Sequence, residues 1–421
     1  MSLKTVPGLR CVAAVVVAAF AVTTAAAPAA VEQAAREVVA ARGGSLTVDA
    51  AGQVVAVNLA DRPATDADLQ ALAACSALRS LELWGAEITD AGMAAVAKFR
   101  GLERLVLENT DITDAGIRSL AALDGLKVLN LRRSSNLTDA ALESVAKLRG
   151  LEQLVLLYNN FTDAGLADLA PLDKLRVLDL RGCALIGDAG LEHVAAMRSL
   201  ERVKLRCPSV TDAGLVRLAK LPRLRGFAVE DGQITDAALA AFAPLTGLDE
   251  INVMRTFVGD KGLAQLAGLT RLRRLELRGT LIGDEGLAHL AGLTDLVLLD
   301  LAETGVGDAG VVHLAGLEKL AELDLWDTKV GDAGLETVAR LAGLAKLNLQ
   351  NTRVTDAGVA RLAGLPRLVS LNLGGTQVGD PTLETLGRCP ALRAVDLSFA
   401  TLTDEALAAF GRSHPGVVVT R

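Results

Sequence analysis

Fifteen aspartates recur along this chain at near-constant spacing: Asp66, Asp90, Asp114, Asp139, Asp163, Asp188, Asp212, Asp236, Asp260, Asp284, Asp308, Asp332, Asp356, Asp380 and Asp404. Carboxylates at fixed intervals are the groups that bind metal cations or relay protons, so this column is the first candidate for chemistry. Of its fourteen intervals twelve are 24 residues and two are 25, and a reaction needs such a group once or twice, not in every interval. Each aspartate stands just before a helical period. There it is expected to act as a structural N-cap, accepting free N–H groups of the first turn and meeting the positive helix end.

Other reactive residue types dissolve into the same lattice. Gly305-Val-Gly307-Asp-Ala-Gly310 matches a dinucleotide fingerprint, yet Gly307 and Gly310 fall in columns that are glycine in several units. The neighbouring units also lack the long crossover helix of a dinucleotide fold. His193, His289 and His313 each follow the repeat aspartate by five residues, on one helix column expected to face solvent; His289 and His313, in adjacent units, would be placed to share a stray metal. No histidine stands with Ser or Cys at a spacing used for nucleophilic catalysis. Cys75 and Cys389 fill a column otherwise held by Leu and are expected in the core, whereas Cys183 and Cys207 lie at near-equivalent turn positions of adjoining units, where an exported protein can pair them. The expectation is no catalytic residue, no metal and no cofactor.

The elements that position these residues follow from two hydrophobic periods in each unit. Leu102-x-x-Leu105-x-Leu107 alternates like a short strand with one buried face, and Ile117-x-x-Leu120-x-x-Leu123 has the three-residue spacing of a short helix. Strand, turn and helix close one coil, and the phrase Ile112-Thr-Asp-Ala-Gly-Ile restates itself as Phe161-Thr-Asp-Ala-Gly-Leu and Val354-Thr-Asp-Ala-Gly-Val. Hydrophobic residues are 51% of the 421 but aromatics only 3%, which suits many thin Leu, Val and Ala layers in place of one large core.

The phrases Leu296-x-x-Leu299-x-Leu301-x-x-Thr304 and Leu344-x-x-Leu347-x-Leu349-x-x-Thr352 resemble the strand signature of the leucine-rich-repeat family. The unit is most similar to the ribonuclease-inhibitor-like and F-box-associated subclass, although no F-box-like segment precedes it. The resemblance implies an α/β solenoid: a horseshoe of about 15 coils, with a parallel sheet on the concave side, short helices on the convex side and recognition by the concave face. One departure is the family's Asn column, which is Thr at 110, 256, 280, 304, 328, 352 and 376 and Asn only at Asn159. A Thr hydroxyl can bond to a backbone group of the turn, less extensively than an Asn amide. Spacing also predicts the curvature, because strands pack about 4.8 Å apart and helices about 8 to 10 Å apart.

The ends need closure, since a terminal coil exposes its core. Residues 31–62 are read as an N-terminal cap, with a helix over Val31–Arg42 and strands at Ser45–Val48 and Val54–Leu59 around Asp49-Ala-Ala-Gly52; residues 63–412 form the solenoid, and 413–421 contain a closing strand at Val417–Val419. Residues 1–30 are read as an export signal: Lys4 and Arg10 precede an uncharged run that ends in small residues, with cleavage expected between Ala26 and Ala30. The alternative is an uncleaved membrane anchor, the only membrane contact foreseen.

Function is then sought in the columns that leave the strand. Trp84, Tyr158 and Trp326, the only Trp and Tyr residues of the chain, fall in the two columns directly after it, and interface hot spots favour such side chains. Arg132, Arg133, Arg181, Arg202, Lys204 and Arg206 gather in the N-terminal half, whereas Asp300, Glu303, Glu322, Asp324 and Asp327 gather beyond the middle. Opposed patches of this kind are expected to orient a charged protein partner. With a net charge of −7 and no basic run, nucleic acid is not expected as a partner. The sequence therefore points to a non-enzymatic protein-binding module, with an envelope scaffold or spacer as the alternative.

Overall fold

The computed structural model describes residues 30–421, so the export segment read over residues 1–30 lies, apart from Ala30, outside the described residues. A helix at Ala30–Arg42 leads into strand β1 at Ser45–Val48, which pairs antiparallel with β2 at Val54–Pro63. The turn between them is held by Asp49, whose carboxylate accepts the N–H groups of Ala51 and Gln53.

From β2 onward every pairing is parallel and joins consecutive strands. The first of these are β3 (Ser80–Trp84), β4 (Arg104–Glu108), β5 (Val128–Asn130), β6 (Gln153–Val155) and β7 (Val177–Asp179). The middle of the sheet comprises β8 (Arg202–Leu205), β9 (Gly226–Val229), β10 (Glu250–Asn252), β11 (Arg274–Glu276) and β12 (Leu298–Asp300). It ends with β13 (Glu322–Asp324), β14 (Lys346–Asn348), β15 (Ser370–Asn372), β16 (Ala394–Asp396) and β17 (Val418–Thr420). The register advances by one coil per strand, so Leu275, Leu299, Leu323, Leu347 and Leu371 form one inward row, each no more than 2% exposed. A one-residue slip would turn that row to solvent, which is what fixes the register.

On the opposite side of each coil runs one to two turns of helix, as at Asp90–Val96 and Asp284–Leu287; six coils continue into a 3₁₀ turn, whose period matches the three-residue spacing of the apolar positions. The result is an open parallel sheet with a helix in each return, a leucine-rich-repeat solenoid.

The aspartate column is where the structure departs from expectation. Except in the coil of Asp332, whose helix starts later at Leu335, the helix N-caps are the residues before the aspartate, Thr or Gly, which have the extended backbone a cap requires; Thr89, for example, has φ −121° and ψ −174° and accepts the N–H of Ala91 through its hydroxyl. Each aspartate from Asp66 to Asp380 instead accepts the backbone N–H of the cap residue in the following coil, at 2.7–2.9 Å. Where that residue is Thr, its hydroxyl donates to the second carboxylate oxygen, as Thr89 does to Asp66 at 2.6 Å. The correction has a spatial cause. On this side the chain runs extended with parallel bridges such as Thr211 to Gln233, so the next coil lies within reach of a short carboxylate. Asp404, the last of the column, pairs with Arg421.

The same ladder explains the glycine two residues after most of the aspartates. A Cβ on Gly92 would lie 2.3 Å from the Asp66 carboxylate. In the penultimate coil Thr382 stands there and donates its hydroxyl to Asp356 at 2.6 Å.

Candidate binding face

Because side chains alternate along a strand, each coil sends three residues outward: the first of the strand, the one two further on, and the one two beyond that, just past the strand end. In the middle column Asn and Asp predominate for a structural reason. Nine of them accept the N–H two residues ahead and so close the strand end: Asn58, Asn130, Asp179, Asn252, Asp300, Asp324, Asn348, Asn372 and Asp396. The position three residues after this column is a left-handed turn in nearly every coil, occupied for example by Arg133, Tyr158, Asp231, Arg255, Glu303 and Asp327, and by glycine at 182, 279 and 375. Both patterns are visible in the sequence as columns, although neither has a hydrophobic period that would draw attention to it.

The basic residues of the N-terminal half do not form a free positive patch. Arg132 pairs with Glu108 at 3.2 Å, and Arg181 with Asp179 at 2.8 Å and Glu230 at 3.5 Å. Arg202 pairs with Asp249 at 2.7 Å and Glu250 at 2.6 Å, and Arg206 with Asp231 at 2.5 Å. Asp231 also holds Arg255, whose hydrogen bond is the main cause of a carboxyl pKa below the ordinary range. An arginine is long enough to cross one or two coils, so charges that are remote in sequence neutralise each other on the sheet. Lys204, half-buried, is the one basic residue of the patch with no ion pair within 4 Å and no aromatic beneath it among the described residues.

The acidic group beyond the middle is less compensated. Glu322 pairs with Lys346 at 2.9 Å and Glu303 with Arg278 at 2.7 Å. Asp300, Asp324 and Asp327 have no ion pair within 4 Å among the described residues. Asp300 sits between Glu276 and Asp324 on adjoining strands. Burial pushes its pKa up to about 6, with those two carboxylates adding to the rise against the Ala302 N–H and Arg278. Burial likewise raises Glu276, against the pull of Arg274. Glu276, Asp300, Glu322 and Asp324, together with Arg274 and Lys346, border an open hollow of about 320 Å³ on the sheet surface.

The three aromatic residues are not brought together. Strands 4.8 Å apart separate Trp84 from Tyr158 by roughly 14 Å and Tyr158 from Trp326 by roughly 34 Å. Tyr158 is 40% exposed; its ring lies over Gly182, with Arg133 5.2 Å from its centroid and Arg206 donating to its hydroxyl at 3.4 Å. Trp326 is covered on one face by the Arg278 guanidinium, 4.2 Å from a ring centroid, and its indole N–H is buried without an acceptor. Both rings therefore pack against neighbouring coils. Trp84 is half-buried in the first full coil.

The remaining candidates are structural. The N–H groups of Gly307 and Gly310 both point at Asp284, at 2.7 and 3.0 Å, and so are spent within the ladder. His289 and His313 are exposed on the helical side. Cys183 and Cys207 are fully buried free thiols, not a disulfide, and donate to the carbonyls of Leu156 and Leu180 in the preceding coils. They thereby do what Asn159 does with its amide, which donates to Leu131 of the preceding coil at 2.7 Å and to Leu156 at 3.1 Å. The Thr residues at 256, 280, 304, 328, 352 and 376 reach only their own coil, as Thr304 does to Leu301 at 2.6 Å, whereas the Thr110 hydroxyl meets that of Ser134 in the next coil at 3.0 Å.

Solved structures share this architecture. An internalin from Listeria monocytogenes is 24% identical with a TM-score of 0.56, covering 82% of this chain and 97% of that one. A leucine-rich-repeat protein from Leptospira interrogans is 17% identical with a TM-score of 0.55, covering 83% and 92%. No curated protein sequence matches the chain. At these identities the likeness shows the fold, and the family rests on a separate match: the family model described as a leucine-rich repeat region fits residues 161–414. With more than half of its length matched and the repeat continuing back to Asp66, the chain belongs to the leucine-rich-repeat family.

Proposed function

We propose that this chain is an exported, non-enzymatic module that binds a protein partner on the concave face of its sheet. The observation that carries this reading is the contrast between the two faces of the strands. Inward positions are Leu, Val, Ile or Phe in every coil, whereas outward positions change from coil to coil and are mostly polar or charged and partly exposed. A repeat fold offers such a face as an extended surface, and leucine-rich-repeat solenoids commonly serve as binding modules. The helix carried by each return supports placement in the ribonuclease-inhibitor-like subclass. Export rests on the charged start and short apolar run, and N-terminal sequencing from the native host is expected to begin between about residues 26 and 31. No helix among the described residues is long and apolar enough to cross a membrane.

A second reading, a spacer without a specific ligand, is favoured by the self-contained ion pairs over β7–β10. Position-specific photocrosslinking in the native host separates the two. A crosslinker at Asn348 on the sheet is expected to capture a polypeptide, and one at His289 on the helical side is not. Capture from His289 alone would move the site, and capture from neither Asn348 nor Arg181 would leave the spacer.

A further inference from the structure

The concave face divides into a closed half and an open one. Over β3–β10 the outward charges are matched within the sheet, apart from Lys204 and from Arg133, which lies against the Tyr158 ring; over β11–β16 a surplus of carboxylates is left. The outward columns of the second stretch hold Arg274, Arg278 and Lys346 against Glu276, Asp300, Glu303, Glu322, Asp324, Asp327 and Asp396. All three cations are already engaged, with Glu276, Glu303 and Glu322 respectively. The surplus carboxylates lie on the sheet floor, where Asp300 and Asp324 are adjacent in register.

The hollow at this place is not purely polar. Its floor at β12 is Leu298, a half-buried apolar side chain in a column that carries Arg274 and Glu322 on either side. The hollow is open, and at about 320 Å³ it stands at the bottom of the range for small-molecule sites, a size suited to one long side chain entering from above. An aliphatic floor beneath a row of carboxylates is complementary to a stem of methylenes that ends in a cation. Lysine and arginine have that form.

Resting on the binding-module reading above, we infer that the sheet surface over β11–β15 receives an extended protein segment whose lysine or arginine lies on Leu298 with its charge between Asp300 and Asp324. The cation relieves repulsion between neighbouring carboxylates that form no ion pair within 4 Å among the described residues, so its entry is favoured by charge complementarity and not by area alone. The closed half has no surplus of carboxylates and so does not compete for the same cationic segment.

A test is available without knowing the partner. The full-length chain is screened against a library of synthetic peptides in which one central position is Lys, Arg, norleucine, Gln or Glu, at pH 7.5 and 150 mM salt. Lys or Arg is expected to be selected at that position, with at least tenfold preference over Gln. Asp300→Asn and Asp324→Asn are each expected to reduce retention of the selected peptides about tenfold. These variants keep the fold, because Asn already makes the same strand-closing bond at 252, 348 and 372. Asp173→Asn, in the exposed turn that leads into β7 and the same change in net charge, is expected to leave retention unaltered. Equal loss from Asp173→Asn, selection without a cation, or no retention at millimolar peptide overturns the inference. Selected peptides that are displaced by Arg181→Glu but not by the Asp300 and Asp324 variants would overturn it while leaving the concave face as the binding surface. Peptides displaced only by His289→Ala would remove both.

Discussion

Arg202 reaches over Gly226 to Glu250, two coils away, with Nη1 2.6 Å from Oε2, while its second nitrogen lies 2.7 Å from Asp249. The path exists because the intervening coil has no side chain at that point. A Cβ on Gly226 would lie 2.6 Å from Arg202 Nη1 and 3.0 Å from the Glu250 carbonyl.

Gly226→Ala is therefore expected to displace the guanidinium and lower stability by about 1–3 kcal/mol, the usual cost of a forced methyl group. Gly247→Ala is the control, since a Cβ there meets nothing within 4 Å. Urea midpoints decide it, and equal midpoints for the two variants would mean that Arg202 does not cross this coil.

The aspartate ladder makes an asymmetric prediction. Asp284→Ala leaves the N–H groups of Gly307 and Gly310 without their acceptor and is expected to cost about 1–3 kcal/mol. Asp404→Ala, at the end of the ladder, is expected to leave the urea midpoint unchanged. If each aspartate capped its own helix, the two variants would cost the same.

Burial raises the Cys183 thiol to about 11 and the Cys207 thiol to about 12. Neither is expected to react with iodoacetamide at pH 8 in the folded protein. After unfolding without a reductant both are expected to be labelled. Protection that persisted in the unfolded chain would reveal a disulfide between them.

Asp300 gives a pH signature with a defined sign. Its folded pKa of about 6 lies above the ordinary 3.8, so between those values the folded state holds a proton that the unfolded state has lost. Its contribution to stability thus falls as pH rises from about 4 to about 6 and is constant above. Glu103, Asp231 and Asp295 are lowered and slope the other way, so the readout is the difference between the wild type and Asp300→Asn. Removing the carboxylate is expected to stabilise the chain more at pH 7.5 than at pH 4. A difference that is flat across this range would place Asp300 in a better-solvated setting.

Spacing alone determined the coil. The alternation at Leu296, Leu299 and Leu301 placed a strand, the threefold spacing at Ile117, Leu120 and Leu123 placed a helix, and the 24-residue recurrence of Asp284 and Asp308 stacked one coil on the next. These features are local or strictly periodic, so backbone geometry and burial dictate them in any chain with the same pattern. The direction of the aspartates was decided only in three dimensions, because the following coil offers Asp66 the Thr89 N–H while Thr65 already caps the helix beside it. The charge of the face was likewise decided there. Sequence showed Arg181, Arg202 and Arg206 as a cluster, but a long side chain is free to cross coils, and only the folded sheet brings Glu230, Asp231 and Glu250 to meet them. Asp300 and Asp324 are left without an ion pair within 4 Å for a reason equally spatial: Arg274, Arg278 and Lys346 of the neighbouring coils pair with Glu276, Glu303 and Glu322, and Asp324 accepts the Asn348 amide instead.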